Sequence, residues 1–207
     1  LAKDILRAMG YPVVEMDNFE ADDVIGTLAK RFGKAGHKVT IVTGDRDSLQ
    51  LVDDKVSVLL TKRGIRETAL YTPAAIQQEY GLEPLQLIDV KGLQGDSSDN
   101  IPGVPGVGPK TALKLIQQFG NIEGVYENIE TQKGKLKEKL INNKDLAFLS
   151  RELGTICLEA PIEKDLKKYE QGTGSPDELL GLFAELELTQ FATDVKPVAT
   201  GPSAEYV

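Results

Sequence analysis

Residues 95–112 read GDSSDNIPGVPGVGPKTA, and this stretch divides the chain. Its first part carries two carboxylates three apart, Asp96 and Asp99, among small polar residues that suit a capped turn. Its second part spaces Gly103, Gly106 and Gly108 among Pro102, Pro105 and Pro109, then runs into the helical pattern Thr111–Phe119. Glycine admits unusual dihedrals and close backbone approach, proline stiffens the loop, and Pro109 suits the first turn of a helix. A helix N-terminus with exposed N–H groups is an anion site. One backbone phosphate fits there, with Lys110 adding charge and Thr111 a hydroxyl, and such contacts carry no base specificity. A plain turn between helices is the other reading, although it rarely needs this density of glycine and proline.

Upstream of this stretch, strand and helix patterns alternate. Tyr11–Glu15 reads as a short strand, and 19–32 as a helix with Val24, Ile25, Leu28 and Phe32 on one face. Lys38–Thr43 (KVTIVT) reads as a strand buried on both faces, and Val56–Leu60 as a further strand. This order predicts an α/β fold with a mainly parallel sheet flanked by helices, with function beyond the carboxyl ends of the strands. From Thr72 onward the β signals fade: Thr72-Pro73 starts a helix through Tyr80, Pro84 starts another, and Thr111–Phe119 and Leu136–Leu149 continue the pattern. The expected domains are 1–100 as the α/β core, 101–194 as a helical subdomain, and 195–207, with two prolines and small residues, as a linker or tail. Because Leu1 falls inside an amphipathic pattern (Ile5, Leu6, Met9), a preceding segment is expected.

At 207 residues, 41% hydrophobic and 27% charged, the chain has the composition of a globular protein. The lone Cys157 excludes an internal disulfide, and the lone His37 removes multi-histidine metal sites and weakens a serine-triad reading. No run of about 18 apolar residues offers a membrane span, so a cytoplasmic location is expected. The net charge of −8 argues against a nucleic-acid partner, since phosphate binding rests on Lys and Arg, but the average hides a gradient. Residues 1–100 carry 12 basic and 16 acidic groups, 101–150 carry 7 and 5, and 151–207 carry 5 and 11. The basic middle includes Lys133, Lys135, Lys137, Lys139 and Lys144, readable as a solvated face or as a second contact to duplex backbone.

Two more acidic clusters accompany Asp96 and Asp99. Glu20, Asp22 and Asp23 open the first long helix, with Glu20 and Asp23 on one face and Asp22 turned away. Taken alone they complement the helix dipole, and Asp17…Glu20 fits a capping box. Asp45 and Asp47 follow the strand ending at Thr43 and project the same way in an extended chain. Seven carboxylates brought together are tolerable only around cations. Oxygen-only ligands favour Mg²⁺ or Mn²⁺, the setting of phosphoryl-transfer chemistry on nucleic acid. A phosphatase-like hydrolase with Asp45 or Asp47 as nucleophile shares the strand-end acids but leaves the glycine-rich loop unexplained.

The ordered set FEADDVIGTLA, VTGDRD, GLQGDSSDNIPGVPGVGPKTA and LFAELELTQFATDV resembles the 5′-nuclease domains of bacterial DNA polymerase I, within the flap-endonuclease family, over essentially the whole chain. The glycine-rich loop is similar to that family's helix-hairpin-helix. The resemblance implies a PIN-like α/β nuclease core followed by a helical subdomain, a carboxylate site for two Mg²⁺ or Mn²⁺ ions, and cleavage at 5′ ends, flaps or nicks of duplex DNA and of RNA primers. It implies Glu20, Asp22, Asp23, Asp45, Asp47, Asp96 and Asp99 as metal ligands, with Asp22, Asp23, Asp45 and Asp47 as the catalytic subset. It also implies Gly103, Val104, Gly106, Val107, Gly108, Lys110 and Thr111 as the DNA-binding hairpin, with K⁺ on its main-chain carbonyls. Family members start with a strand that carries an early metal-binding Asp, followed by another acid and a basic arch-like segment. The implied expectations are an N-terminally shortened sheet and a polymerase domain in cis. A non-catalytic module that grips duplex through the hairpin is the alternative.

Overall fold

The computed structural model describes residues 1–62, 67–192 and 195, and its chain divides by contacts into two compact units. The larger runs from Asn18 to Ala160; the smaller combines Leu1–Asp17 with the chain from Pro161 onward. The expected tail falls, from residue 196 on, outside the described residues.

In the smaller unit, α1 (Ala2–Ala8) packs Ala8 against Leu179 and Phe183 of α9 (Pro176–Glu185), and α10 (Thr189–Ala192) follows. Ser175 caps α9 by accepting from the Glu178 N–H, with Pro176 at the first helical position. Tyr11–Glu15 is not a strand. Pro12 offers no N–H, and among the described residues no strand pairs with this segment; its neighbour Gly10 instead accepts a single bond from the Gly172 N–H at 2.8 Å.

The larger unit opens with α2 (Ala21–Lys34), β1 (Val39–Thr43), a 3₁₀ turn (Arg46–Leu51), β2 (Val56–Thr61) and β3 (Thr68–Tyr71). The sheet order is β1-β2-β3: β1 and β2 run parallel, and β3 returns antiparallel. The α/β expectation holds, but β1 is not buried on both faces. Ile41 is buried near Ala29 of α2, whereas Val42 on the opposite face is 64% exposed. β1 has one partner strand among the described residues, and only its Ile41 face meets the core. Val56, Val58 and Leu60 of β2, with Tyr71 and Ile76, complete that core.

Helices follow: α3 (Pro73–Tyr80), α4 (Gln86–Gln94), α5 (Pro109–Phe119), α6 (Ile122–Glu127), α7 (Gly134–Asn142) and α8 (Lys144–Leu153). Thr72 caps α3, and Gly81 ends it at φ +66°, a left-handed position that glycine fills without strain. The helix expected over Leu136–Leu149 is two helices, broken at Asn143, whose side-chain amide bonds the Lys139 carbonyl. Leu93, Val104, Ile116, Ile122, Val125 and Leu140 are the buried centre of this half, and Tyr80 and Leu87 pack against both cores. No helix among the described residues is long and apolar enough to cross a membrane.

Candidate functional site

Three separate local devices position the acids. Glu20 is the N-cap of α2, and the capping box is formed by Glu20 and Asp23, the Glu20 N–H bonding Asp23 Oδ2 at 3.1 Å, not by Asp17 and Glu20. Asp23 Oδ1 also accepts the Cys157 N–H at 2.8 Å, which ties the start of α2 to the chain after α8. Because these acids fan around the first helical turn, Asp22 is not turned away from the others. It lines the same cleft, and burial, then the charges of Asp45, Asp47, Glu20 and Asp23, push its carboxyl above the usual range. Asp45 caps the 3₁₀ turn after β1 by accepting the Asp47 N–H at 2.9 Å, which directs both carboxylates beyond the carboxyl end of that strand. Asp96 and Ile101 exchange backbone bonds at 2.8 Å, closing the loop that carries Asp99, and Asp96 Oδ1 accepts the Ser98 N–H.

These devices converge. Glu20, Asp22, Asp23, Asp45, Asp47 and Asp99 line one open cleft of about 740 Å³, and Asp96 adjoins it: single oxygens of Asp47, Asp96 and Asp99 lie within 4.8 Å of one another. Burial raises the pKa of Asp47, with Asp45 and Asp99 adding to the rise and Lys91 opposing it. The Ser98 hydroxyl and N–H hold Asp96 below its usual value. The donor set is oxygen-only, closely spaced and mutually repulsive, which fits a divalent cation.

Lys91 is the residue that sequence reasoning missed. It sits on α4, 6% exposed, and its ammonium bonds Asp47, Asp99 Oδ2 at 2.7 Å and Asp96 Oδ2 at 3.2 Å. Burial works against its charge, but the bonds to Asp47, Asp99 and Asp96 prevail and keep its pKa above the ordinary lysine value. The available signal was the one basic residue of α4, between Val90 and Leu93 and five residues before Asp96.

The glycine-rich loop packs against the loop that holds Asp96 and Asp99. Gly103 has φ +60°, and a Cβ there would lie 2.2 Å from the Gly95 nitrogen. Its N–H donates to the buried Ser150 Oγ at 2.9 Å, and the Val104 N–H to the Leu93 carbonyl at 2.8 Å. Val104 and Val107 are buried in the helical core, so their side chains cannot reach a ligand. Gly108 is the N-cap of α5, Pro109 has no N–H, and the Thr111 and Ala112 N–H groups both bond the Gly108 carbonyl. Among the described residues no backbone acceptor faces the Lys110 N–H, and the Lys110 side chain is exposed. In the basic stretch, Lys137 pairs with Glu130 at 2.7 Å, Lys139 donates to the Gly106 carbonyl at 3.0 Å, and Lys144 lies 5.3 Å from the Tyr126 ring centre.

Residues 1–81 match the family described as "5′-3′ exonuclease, N-terminal resolvase-like domain", and residues 82–177 the one described as "5′-3′ exonuclease, C-terminal SAM fold". The chain belongs to the 5′-3′ exonuclease family. It is 44% identical over 206 residues to DNA polymerase I of Bacillus caldotenax and 46% identical over 185 residues to that of Bacillus subtilis (strain 168). Those matches cover 99% and 89% of this chain but only 23% and 21% of the relatives' own length. Among solved structures, T5 5′-exonuclease with bound zinc matches with a TM-score of 0.60 and 25% identity, over 89% of this chain and 61% of that one. The catalytic core of Rad2 in complex with DNA substrate matches at 0.65 and 20% identity, over 94% of this chain and 68% of that one, a likeness of fold. The family resemblance and the α/β class read from the motifs are thereby confirmed.

Proposed function

We propose that this chain is a divalent-metal-dependent, structure-specific 5′-3′ nuclease domain that hydrolyses phosphodiesters at 5′ ends, flaps or nicks of duplex DNA and in RNA primers. The observation that carries the reading is the convergence of three sequence-distant acid clusters on one cleft. Asp47, Asp96 and Asp99 would hold one cation, and Asp22, Asp23 and Asp45, with Glu20, the neighbouring position. Mg²⁺ or Mn²⁺ bound there would lower the pKa of an attacking water and steady the leaving oxygen. The bound zinc of T5 5′-exonuclease supports a divalent-metal site on this fold. Asp23, locked between Glu20 and Cys157, keeps the first cluster oriented.

The hairpin is the duplex grip in this reading. The N-terminal end of α5, with the Lys110 N–H and ammonium and the Thr111 hydroxyl, meets a backbone phosphate without reading bases. Carbonyls between Gly103 and Gly108 could share a K⁺ ion with the DNA backbone. Since the relatives are DNA polymerase I chains more than four times longer than the matched region, a polymerase domain in the same polypeptide and a cytoplasmic setting belong to the same proposal.

The test is cleavage of a 5′-labelled flapped duplex with Mg²⁺ and with a chelator, alongside duplex affinity. Asp96→Ala is expected to lower cleavage at least 100-fold while changing affinity less than threefold, because a metal ligand acts on the transition state and the hairpin on the ground state. Cleavage that survives chelation, or equal losses of cleavage and affinity, would overturn the proposal; duplex binding without metal-dependent cleavage would establish the non-catalytic alternative.

A further inference from the structure

The Lys91 ammonium occupies a place that the nuclease reading needs for a cation. It reaches all three carboxylates whose oxygens cluster within 4.8 Å, namely Asp47, Asp96 and Asp99. Its backbone cannot yield: Val90 and Leu93 anchor α4 in the helical core, and a Cβ on the adjacent Gly92 would lie 2.7 Å from Ile122 Cδ1 and 2.9 Å from Arg151 Cβ. The lysine stem is confined too, since a Cβ on Gly154 would lie 3.1 Å from Lys91 Cδ. Only the far end of the side chain is free to move. The cleft on one side and a cavity of about 340 Å³, lined by Tyr80, Leu87 and Gln94, on the other both open onto Lys91.

One position among three carboxylates can hold an ammonium or a divalent ion about 2.1 Å from the oxygens, but not both at once. We propose that Lys91 is a built-in counter-ion that holds the cation position among Asp47, Asp96 and Asp99 in the metal-free protein. A divalent ion entering there displaces the ammonium into the adjoining space. This inference rests on the metal reading of the cleft and adds to it a residue that sets the affinity of one of its positions. The side chain partly offsets the charge of the metal-free carboxylates and keeps them in place, and by competing it weakens metal binding.

Two measurements on the full chain test it. The first titrates Mn²⁺ into wild type and Lys91→Met by calorimetry and records melting temperatures with chelator and with saturating Mn²⁺. Lys91→Met is expected to melt lower than wild type in chelator, to recover with Mn²⁺, and to bind Mn²⁺ at least tenfold more tightly. Equal or weaker binding by the variant would overturn the proposal while leaving the metal site standing; absence of saturable binding in both proteins would overturn the metal reading and this inference together. The second needs no loss of charge: the lysine NH₃⁺ resonance of ¹⁵N-labelled wild type, assigned by its absence in Lys91→Arg. In chelator the buried, hydrogen-bonded ammonium should give a slowly exchanging signal that vanishes on saturation with Mg²⁺. A signal that persists unchanged at saturation would overturn the proposal even if Lys91→Met failed to fold.

Discussion

Asp53 holds three backbone or side-chain partners and Asp23 two, and both show how a single carboxylate fixes a junction. Asp53 accepts the Lys55 and Val56 N–H groups at 2.8 and 2.9 Å and the Lys30 ammonium at 2.5 Å, fastening α2 to the entry of β2. Burial alone would raise its pKa, but the Lys30 ammonium and the two N–H bonds outweigh burial and hold it below 3.8. A lowered carboxyl contributes stability above its unfolded pKa and loses it as pH falls through the folded value. Asp53→Asn keeps the backbone acceptor and removes only the charge. In urea unfolding it should be less stable than wild type at pH 7, by under about 1 kcal/mol because the pair is partly exposed. The gap should narrow as pH falls from 3.8 through the lower folded pKa; a gap that stays the same size on acidification would contradict the assignment. Asp23 was legible as an acid in a first turn. Its second bond, to the Cys157 N–H 134 residues away, was not, because no local pattern encodes a tertiary partner.

The helix starts were the most legible elements. Thr72-Pro73 and Gly108-Pro109 announce α3 and α5 because proline suits the first helical turn regardless of what packs around it. β3 was not legible: it is four residues long, and only Tyr71 is buried, so the short run Ala69-Leu70-Tyr71 is too brief to mark a strand. The glycines of the hairpin were readable as a set, but the structure separates them. Gly103 needs φ +60° and backbone contact with Gly95, whereas Gly108 has φ −93° and nothing within 4 Å of an added Cβ. Gly103→Ala should therefore cost about 2 kcal/mol or more in urea unfolding, because it strains the backbone and pushes apart the loop holding Asp96 and Asp99. Gly108→Ala should stay within about 0.5 kcal/mol of wild type yet lower duplex affinity severalfold, since the added methyl would stand where the proposed phosphate contact meets α5. Unchanged affinity for Gly108→Ala would place the duplex contact elsewhere.

At the scale of the molecule, the sequence showed an acidic chain with a basic middle and three acid clusters, but could not show that they meet. Convergence depends on β1 ending where α2 begins and on α4 bringing Lys91 between Asp47 and the Asp96–Asp99 loop, relations spread over some 80 residues. The pairing of the first 17 residues with the chain after Pro161 was equally hidden, because α1 and α9 are joined through Ala8, Leu179 and Phe183 and not through any shared motif. In the proposed reading, acids from different clusters serve one cation site. Binding of Mn²⁺ measured from the EPR signal of the free ion, for wild type, Asp47→Asn, Asp99→Asn and the exposed α9 control Asp177→Asn, tests it most directly. Binding should be saturable, weaken at least tenfold in both Asp47→Asn and Asp99→Asn, and be unchanged in Asp177→Asn; affinity indifferent to either of the first two would refute a shared cation site.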